Sequence, residues 1–339
     1  MSAETPQSAY TWASRTTLDI IGLAGAGHDF HALRNPDSEL LVTYRGLFEE
    51  EGPIFFWTLI GLDLPVQHIL KLPTQQFKTL KKASSRIAEF SRDLIREKQK
   101  HLDKGGEHRD ILGVALASGA FSEQGLVDQL MTFLAAGHET TASSMTWATY
   151  LLCKHPEIQQ RLRNEVRDNL PSPRDPGAEI TAHQIDTLPY LNAVCNEVLR
   201  FFSPVPMTMR TASRDTDICG QLIPKGTNVI IAAWATNVDY ELWGPDAMDF
   251  KPERWLTKGQ AQTGGATSNF ANLTFIHGAH ACIGKDFAKA EFAVLLAAWI
   301  GRFGLSFPKG IVPEVDIVGY VTAKPEKGMP VIFHELEGW

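Results

Sequence analysis

"FIHGAHACIGKDFAKAE" (275–291) places one cysteine, Cys282, among glycines and histidines just ahead of what reads as the first turn of a helix. Glycines at 278 and 284 permit tight, left-handed turns and keep side-chain bulk away from the sulfur. The helix that follows opens with main-chain N–H groups lacking an intrahelical partner. Those groups and the helix dipole favour an ionised sulfur. Phe275 is placed to wall off the sulfur from water, as outer groups do around metal centres. Two other readings fit the same letters. One is a buried free cysteine in a glycine-containing turn. The other is a zinc site of His277, His280 and Cys282, although no C-x-x-C pair accompanies it.

The rest of the chain narrows the choice. Its 339 residues, 44% of them hydrophobic, suffice for a large buried core, and a net charge of −7 gives no basic footprint for nucleic acid. The four cysteines, Cys153, Cys195, Cys219 and Cys282, are sparse and irregularly spaced, and no secretory signal precedes them. Reduced thiols are therefore expected. No run reaches the ~18 apolar residues of a membrane-spanning helix. As given, the chain is expected to lack an anchor and to be soluble and cytoplasmic. The aromatic stretch "PIFFWTLIGLDLP" (53–65) fits either contact with a membrane surface or pocket mouth, or a buried loop.

Helical periodicity dominates the first two thirds. Residues 74–104 carry Phe77, Leu80, Ile87, Phe90, Leu94 and Ile95 near a 3.6-residue period, which predicts one long amphipathic helix ending at Gly105-Gly106. A second helix, from about Ser122 to the His155-Pro156 break, is apolar on most faces and is expected to be central. A charged helix over 156–169, with proline in its first turn, is expected on the surface. A further helix spans 187–202. Strands follow in "DICGQLIPKGTNVIIAA" (217–233), where Gly226 supplies a turn between two β-branched runs. A last helix covers about 283–303. With no internal repeat and no hinge-like linker, residues 1–339 read as one mainly α domain with small β-sheets.

Three constellations bear on Cys282. In "AAGHETTA" (135–142), Gly137 costs the central helix ~1 kcal/mol relative to alanine, and consecutive threonines add further strain. Threonine hydroxyls can bond back to carbonyls one turn earlier, and the glycine opens a gap suited to a small ligand. A plain packing notch is the other use of such a glycine. In "NEVLRFFSPVPMTMR" (196–210), Glu197-x-x-Arg200 is an i,i+3 pair that would contribute only ~0.2–0.5 kcal/mol if exposed. Arg254 of "KPERW" (251–255) supplies a third member, so one carboxylate held by two guanidinium groups becomes a buried knot.

Phe275, Gly278, His280, Cys282 and Gly284 fit F-x-x-G-x-[Arg or His]-x-C-x-G, which resembles the haem-binding loop of the cytochrome P-450 family, in its eukaryotic and fungal form. Ala136, Gly137, Glu139, Thr140 and Thr141 match that family's [Ala or Gly]-Gly-x-[Asp or Glu]-Thr-Thr segment, and Glu197-x-x-Arg200 its E-x-x-R. Pro-Glu-Arg-Trp resembles its P-E-R-F, with Trp255 replacing phenylalanine. The motifs also occur in the family's order, from about residue 10 to the C-terminus.

The resemblance implies haem b (iron protoporphyrin IX) held by a Cys282 thiolate, with His280 and Arg210 at its propionates. It implies Glu139 and Thr140 as an acid–alcohol pair relaying protons during dioxygen activation, and Glu197, Arg200 and Arg254 as structural residues. The implied reaction is monooxygenation of a lipophilic small molecule, with NADPH-derived electrons from a flavoprotein reductase that docks near Lys285 and Lys289. Phe133, Ala136, Val205 and Pro206 are candidates for lining the substrate pocket, or for plain core.

One departure stands out. None of the eight tryptophans is followed four residues later by arginine, so the family's Trp-x-x-x-Arg helix is missing. The chain therefore resembles the C-terminal portion of the fold, from the middle helices onward. The family's N-terminal anchor, β-rich lobe and early helices are absent from it. Met1 then reads as an internal start or a truncated gene model. Full-length relatives are often endoplasmic-reticulum membrane proteins. On that ground a truncated remnant, binding haem without turnover or only partly folded, is the alternative function.

Overall fold

The five expected helices form at nearly the expected residues, and two more, Ala9–Ile21 and Ile111–Ser118, join them without having been read from the sequence. The computed structural model describes residues 5–38, 40–43, 74–106, 109–259, 263–319 and 321–339. The aromatic stretch 53–65 and the side chain of Phe77 lie outside the described residues. Two compact units result, one of residues 11–142 and one of residues 1–10 with 143–339.

The first unit holds most of α1 (Ala9–Ile21), which runs into a π-helical turn over Gly22–Ala26 closed by Gly27 at φ +66°. It also holds α2 (Gln75–Asp103) and α3 (Ile111–Ser118). Of the periodic positions in α2, Ile87, Leu94 and Ile95 are buried, whereas Leu80 is 36% exposed. The Asp110 carboxylate caps α3 by accepting the Gly113 N–H at 2.8 Å and pairs with the Lys98 ammonium, both side chains being largely buried. Asp19 of α1 accepts the N–H groups of Ala32 and Leu33 at 2.7 and 3.0 Å, fixing the chain after the turn.

The central helix, α4 (Glu123–Lys154), belongs to the first unit up to Ala142 and to the second from Ser143. Residues 141–149 are buried without interruption, the polar Thr141, Ser143, Ser144, Thr146 and Thr149 among them.

In the second unit α5 (Pro156–Asn169), α6 (Pro189–Phe201) and α7 (Lys285–Arg302) pack on one another, and Gln159 of α5 donates to Leu152 O of α4 at 2.9 Å. Trp147 stacks on Phe202 with ring centroids 4.1 Å apart and donates its indole N–H to Ala323 O at 3.0 Å. α5 is amphipathic rather than wholly superficial. Ile158, Leu162 and Val166 are buried, and the equally buried Arg163 donates to the carbonyls of Ile300 and Phe303 at 3.0 and 3.1 Å. From the same helix, Glu165 accepts the N–H groups of Tyr190 and Leu191 at 2.9 and 2.7 Å. A carboxylate from one helix thereby caps the orphan donors of α6 and favours its N-terminal dipole.

The sheets are small and antiparallel. β1 (Gln7–Ser8), β9 (Pro330–Glu335) and β6 (Phe303–Ser306) form one in the order β1-β9-β6. β2 (Thr208–Thr211) pairs with β5 (Asn228–Ile231), β3 (Thr216–Ile218) with β4 (Gln221–Ile223), and β7 (Ile317–Val318) with β8 (Lys324–Pro325). Gly226, at φ +89°, does turn the chain between two β-branched runs, but those runs join different sheets. The hairpin turn is Cys219-Gly220, both residues at positive φ, with Gly220 N–H on the Asp217 carboxylate at 2.9 Å.

Candidate functional site

The second unit builds the setting of Cys282 from a buried ionic knot outward. Glu197, on α6, is fully buried and accepts five hydrogen bonds. Arg200 holds it with a two-pronged fork, Nε to Oε2 at 2.9 Å and Nη2 to Oε1 at 2.8 Å. Arg254 Nε reaches Oε1 at 3.0 Å, the Lys251 N–H reaches Oε1 at 2.9 Å, and Trp255 Nε1 reaches Oε2 at 2.9 Å. Arg200 directs its remaining donors at the carbonyls of Asn237, Ala247 and Asp249 at 2.9, 2.7 and 3.0 Å. Every donor of this buried guanidinium is thereby used, the condition under which a buried ion pair is tolerated. Arg254 grips the carboxylate through Nε alone, its terminal nitrogens turning to the Asp246 carbonyl and carboxylate.

Beyond the knot the chain runs into the cysteine loop. Ile276 and Gly278 take left-handed φ values of +56° and +77°, and Gly278–His280 forms a 3₁₀ turn. The Cys282 N–H donates to Phe275 O at 2.9 Å, closing the loop. Phe275 thus holds the cysteine through its main chain, its side chain being half-buried.

The two glycines act differently from one another. Gly278 supplies a positive φ with open space around it. Gly284 lies at φ −89°, an ordinary value, and caps α7. The expectation of left-handed turns on both sides of the sulfur is thus corrected at 284. A Cβ there would sit 4.0 Å from the Cys282 sulfur, an ordinary contact, so neither backbone conformation nor a clash within the chain requires glycine at 284.

The four cysteines separate by environment. Cys282 and Cys219 are exposed, whereas burial pushes the thiols of Cys153 and Cys195 up to about 12, with the Lys289 charge pulling weakly the other way at Cys195. Cys219 lies in the β3–β4 turn, leaving Cys282 as the exposed thiol within a built loop. His280 is exposed beside it. His277 instead bonds Asn272 O at 3.1 Å and packs edge-on to Phe270.

Among the described residues no three His, Cys, Asp or Glu side chains are grouped to hold a metal ion. A single exposed thiol suits a metal that brings its other ligands with it, as a porphyrin does. The exposure of Ile283, at 92%, leaves apolar surface next to Cys282 that a flat apolar group would cover. Arg210 on β2 is half-buried and spends Nη1 on Thr208 Oγ1 and Met209 O, at 3.0 and 2.7 Å. Its Nε and Nη2 have no partner among the described residues, which suits a carboxylate.

The Glu139–Thr140 segment is described within the first unit. Thr140 Oγ1 donates back to Ala136 O at 2.9 Å, the expected helix back-bond. Glu139 is buried, with His138 Nε2 3.8 Å from its Oε2, and the His138 carbonyl accepts Thr17 Oγ1 at 2.9 Å. The gap beside Gly137 is filled by Ile21 of α1, since a Cβ on the glycine would meet Ile21 Cγ1 at 2.8 Å. The packing use of this glycine is the one observed.

The sequence reading passed over His138, Asn237 and the indole donor of Trp255. His138 was legible as the variable position of a matched motif. Asn237 carries no sequence signal, because its partners lie 36 or 37 positions away.

Comparison with known proteins agrees with this geometry. Residues 2–331 match the family model described as cytochrome P-450. The chain is 47% identical over 337 residues to cytochrome P-450 monooxygenase sphH of Aspergillus fumigatus, covering 97% of this chain and 61% of that relative. Similarity to cytochrome P-450 monooxygenase ALT8 of Alternaria alternata is 41% over 369 residues, 96% of this chain and 61% of the relative. With FUM15 of Gibberella moniliformis, also named a cytochrome P-450 monooxygenase, it is 43% over 335 residues, 86% and 56% respectively. The chain thus spans about three fifths of the length of these relatives. By the match along nearly its whole length, and by relatives sharing up to 47% of its residues, this chain belongs to the cytochrome P-450 family.

Proposed function

We propose that this chain carries the thiolate-ligating part of a haem-dependent monooxygenase acting on a lipophilic small molecule. The observation that carries the reading is Cys282, an exposed thiol in a loop closed by its own main chain and preceding α7. When bound, haem b supplies dioxygen activation: with two electrons and two protons, one oxygen atom enters a C–H bond and the other leaves as water.

The chain's residues have separable tasks. Cys282 would hold the haem iron through its sulfur, presented from the loop just ahead of α7. Arg210, with its Nε and Nη2 donors, pairs with a propionate, and the exposed His280 offers a second polar contact. Ala136 and Gly137 shape the helix ahead of the acid–alcohol pair. Glu139 takes up and releases a proton, and Thr140 passes it on by rotating its hydroxyl away from Ala136 O.

A flavoprotein reductase using NADPH-derived electrons is the partner. Lys285 is exposed and presents its charge freely. Lys289 is half-buried, and burial, followed by the Lys285 charge, lowers its pKa. Lys285 is therefore the better contact for an acidic partner surface. For the membrane, the described residues contain no helix long and apolar enough to cross it.

Reconstitution with haem tests the reading. The reduced carbon-monoxide complex of the wild-type chain should show the Soret band of thiolate ligation. Cys282→Ala should abolish haem binding, whereas Cys153→Ala should not. Equal haem content in the two variants would sink the assignment of Cys282. A purified chain without the thiolate band would instead be a partly folded or non-catalytic remnant.

A further inference from the structure

Asn237 ends the short helix Ala233–Asn237 and is completely buried. Its carbonyl accepts Arg200 Nη1 at 2.9 Å. Its amide Nδ2 donates to Arg200 O at 3.1 Å and to Thr274 Oγ1 at 2.9 Å, and its Oδ1 accepts the Leu273 N–H at 2.7 Å. Thr274 Oγ1 donates onward to Leu199 O at 2.7 Å. From there the path is short. Leu273 O accepts the Ile276 N–H at 3.0 Å, and Phe275 O accepts the Cys282 N–H at 2.9 Å.

We propose that Asn237 is a positioning residue that transmits the rigidity of the Glu197–Arg200–Arg254 knot to the cysteine loop and holds the Cys282 sulfur in its ligating place. The inference rests on the reading of Cys282 as the haem ligand. Its physical basis is that a sulfur presented from an exposed loop keeps ligand geometry only if the segment beneath it is fixed. Among the described contacts, Asn237 is where the knot and the segment entering the loop share one planar amide. Both arms of that amide are hydrogen-bonded, so it has no freedom to turn. An outer residue of this kind orients a metal ligand without touching the metal.

The test uses the full chain loaded with haem, with the ratio of thiolate- to thiol-ligated Soret bands in the reduced carbon-monoxide complex as its main readout. Asn237→Ala should lower that ratio roughly tenfold, the scale of losses at outer partners of metal ligands. Thr274→Val, which removes one arm and keeps the shape, should lower it by a smaller factor, and it decides the matter if Asn237→Ala does not accumulate. Asn192→Ala is the structural control. It cuts amide bonds to Ile185 O and Leu188 O at the other end of α6 and should leave the ratio at the wild-type value. In the haem-free chain, the Cys282 amide should exchange with solvent faster in Asn237→Ala than in wild type.

Unchanged ratios in both test variants, beside a normal wild-type band, would overturn the role of Asn237 alone. An equal fall in Asn192→Ala would also overturn it. A wild-type chain with no thiolate band would overturn the haem reading and this inference together.

Discussion

The indole N–H of Trp255 donates to Oε2 of Glu197 at 2.9 Å, with both side chains buried. The family segment that Pro-Glu-Arg-Trp resembles has phenylalanine there, which carries no donor. In this chain Oε2 is therefore shared between Trp255 and Arg200 Nε. Trp255→Phe keeps an aromatic ring but leaves a buried carboxylate oxygen short of one partner. The expected loss is about 1–3 kcal/mol of stability. Urea unfolding would show it as a lowered midpoint, and an unchanged midpoint would mean the indole bond contributes nothing.

Thiol labelling sorts the four cysteines without reference to turnover. In the haem-free chain near neutral pH, an alkylating reagent should modify Cys282 and Cys219, which are exposed. Cys153 and Cys195 should resist, because burial raises both thiols to about 12 and blocks access. Added haem should protect Cys282 and leave Cys219 as reactive as before. Mass spectrometry of the digested chain reads each site, and protection of both exposed thiols would argue against a specific ligand at Cys282.

Gly137 and Ile21 should be energetically coupled. A methyl group at 137 raises helix propensity by ~1 kcal/mol. It would also press against Ile21 Cγ1 and Cδ1 at 2.8 and 2.9 Å. Overpacking of this kind costs about 1–3 kcal/mol, so Gly137→Ala should be neutral to destabilising by up to ~2 kcal/mol. In an Ile21→Ala background the same change should become stabilising. Simple additivity in the double-mutant cycle would refute the contact.

Acid stability has a contribution from Asp246. A hydrogen bond from Lys251, aided by the Arg254 charge, holds its carboxyl below the usual range against a smaller opposing effect of burial. A depressed carboxylate stabilises the folded chain fully above its unfolded pKa, near 3.8. That stabilisation is lost as pH falls through the lower folded value. Asp246→Asn should therefore flatten the stability curve below about pH 4 and shift it evenly above. The carboxylate is partly exposed, so the effect is small and shrinks with added salt. Equal slopes for the two proteins in acid would contradict it.

Helices α2, α4, α5, α6 and α7 were legible from the sequence because their causes are local, whereas α1 and α3 were not read from it. A 3.6-residue period, proline at the first turn of 156–169 and the His155-Pro156 break all act within a turn or two. The observed bounds of α2, α4, α5, α6 and α7 follow them within a few residues. The cysteine loop and Glu197-x-x-Arg200 were legible for the same reason. The strand pairing was not. Gly226 marked a turn, yet nothing between 217 and 233 says that β5 leaves β4 and pairs with residues 208–211.

By itself the sequence determined where the chain coils and where it breaks, and it singled out Cys282 as the candidate ligand. Only the tertiary structure decided that Ile21 fills the space beside Gly137, that five donors from four residues converge on Glu197, and that Asn237 ties the knot to the cysteine loop. The reason lies in range. Periodicity and capping act between neighbours along the chain, whereas the contacts of Ile21 with Gly137, of Lys251, Arg254 and Trp255 with Glu197, and of Asn237 with Leu273 join residues 36 to 116 positions apart and become favourable only once the packed core has brought them within bonding distance.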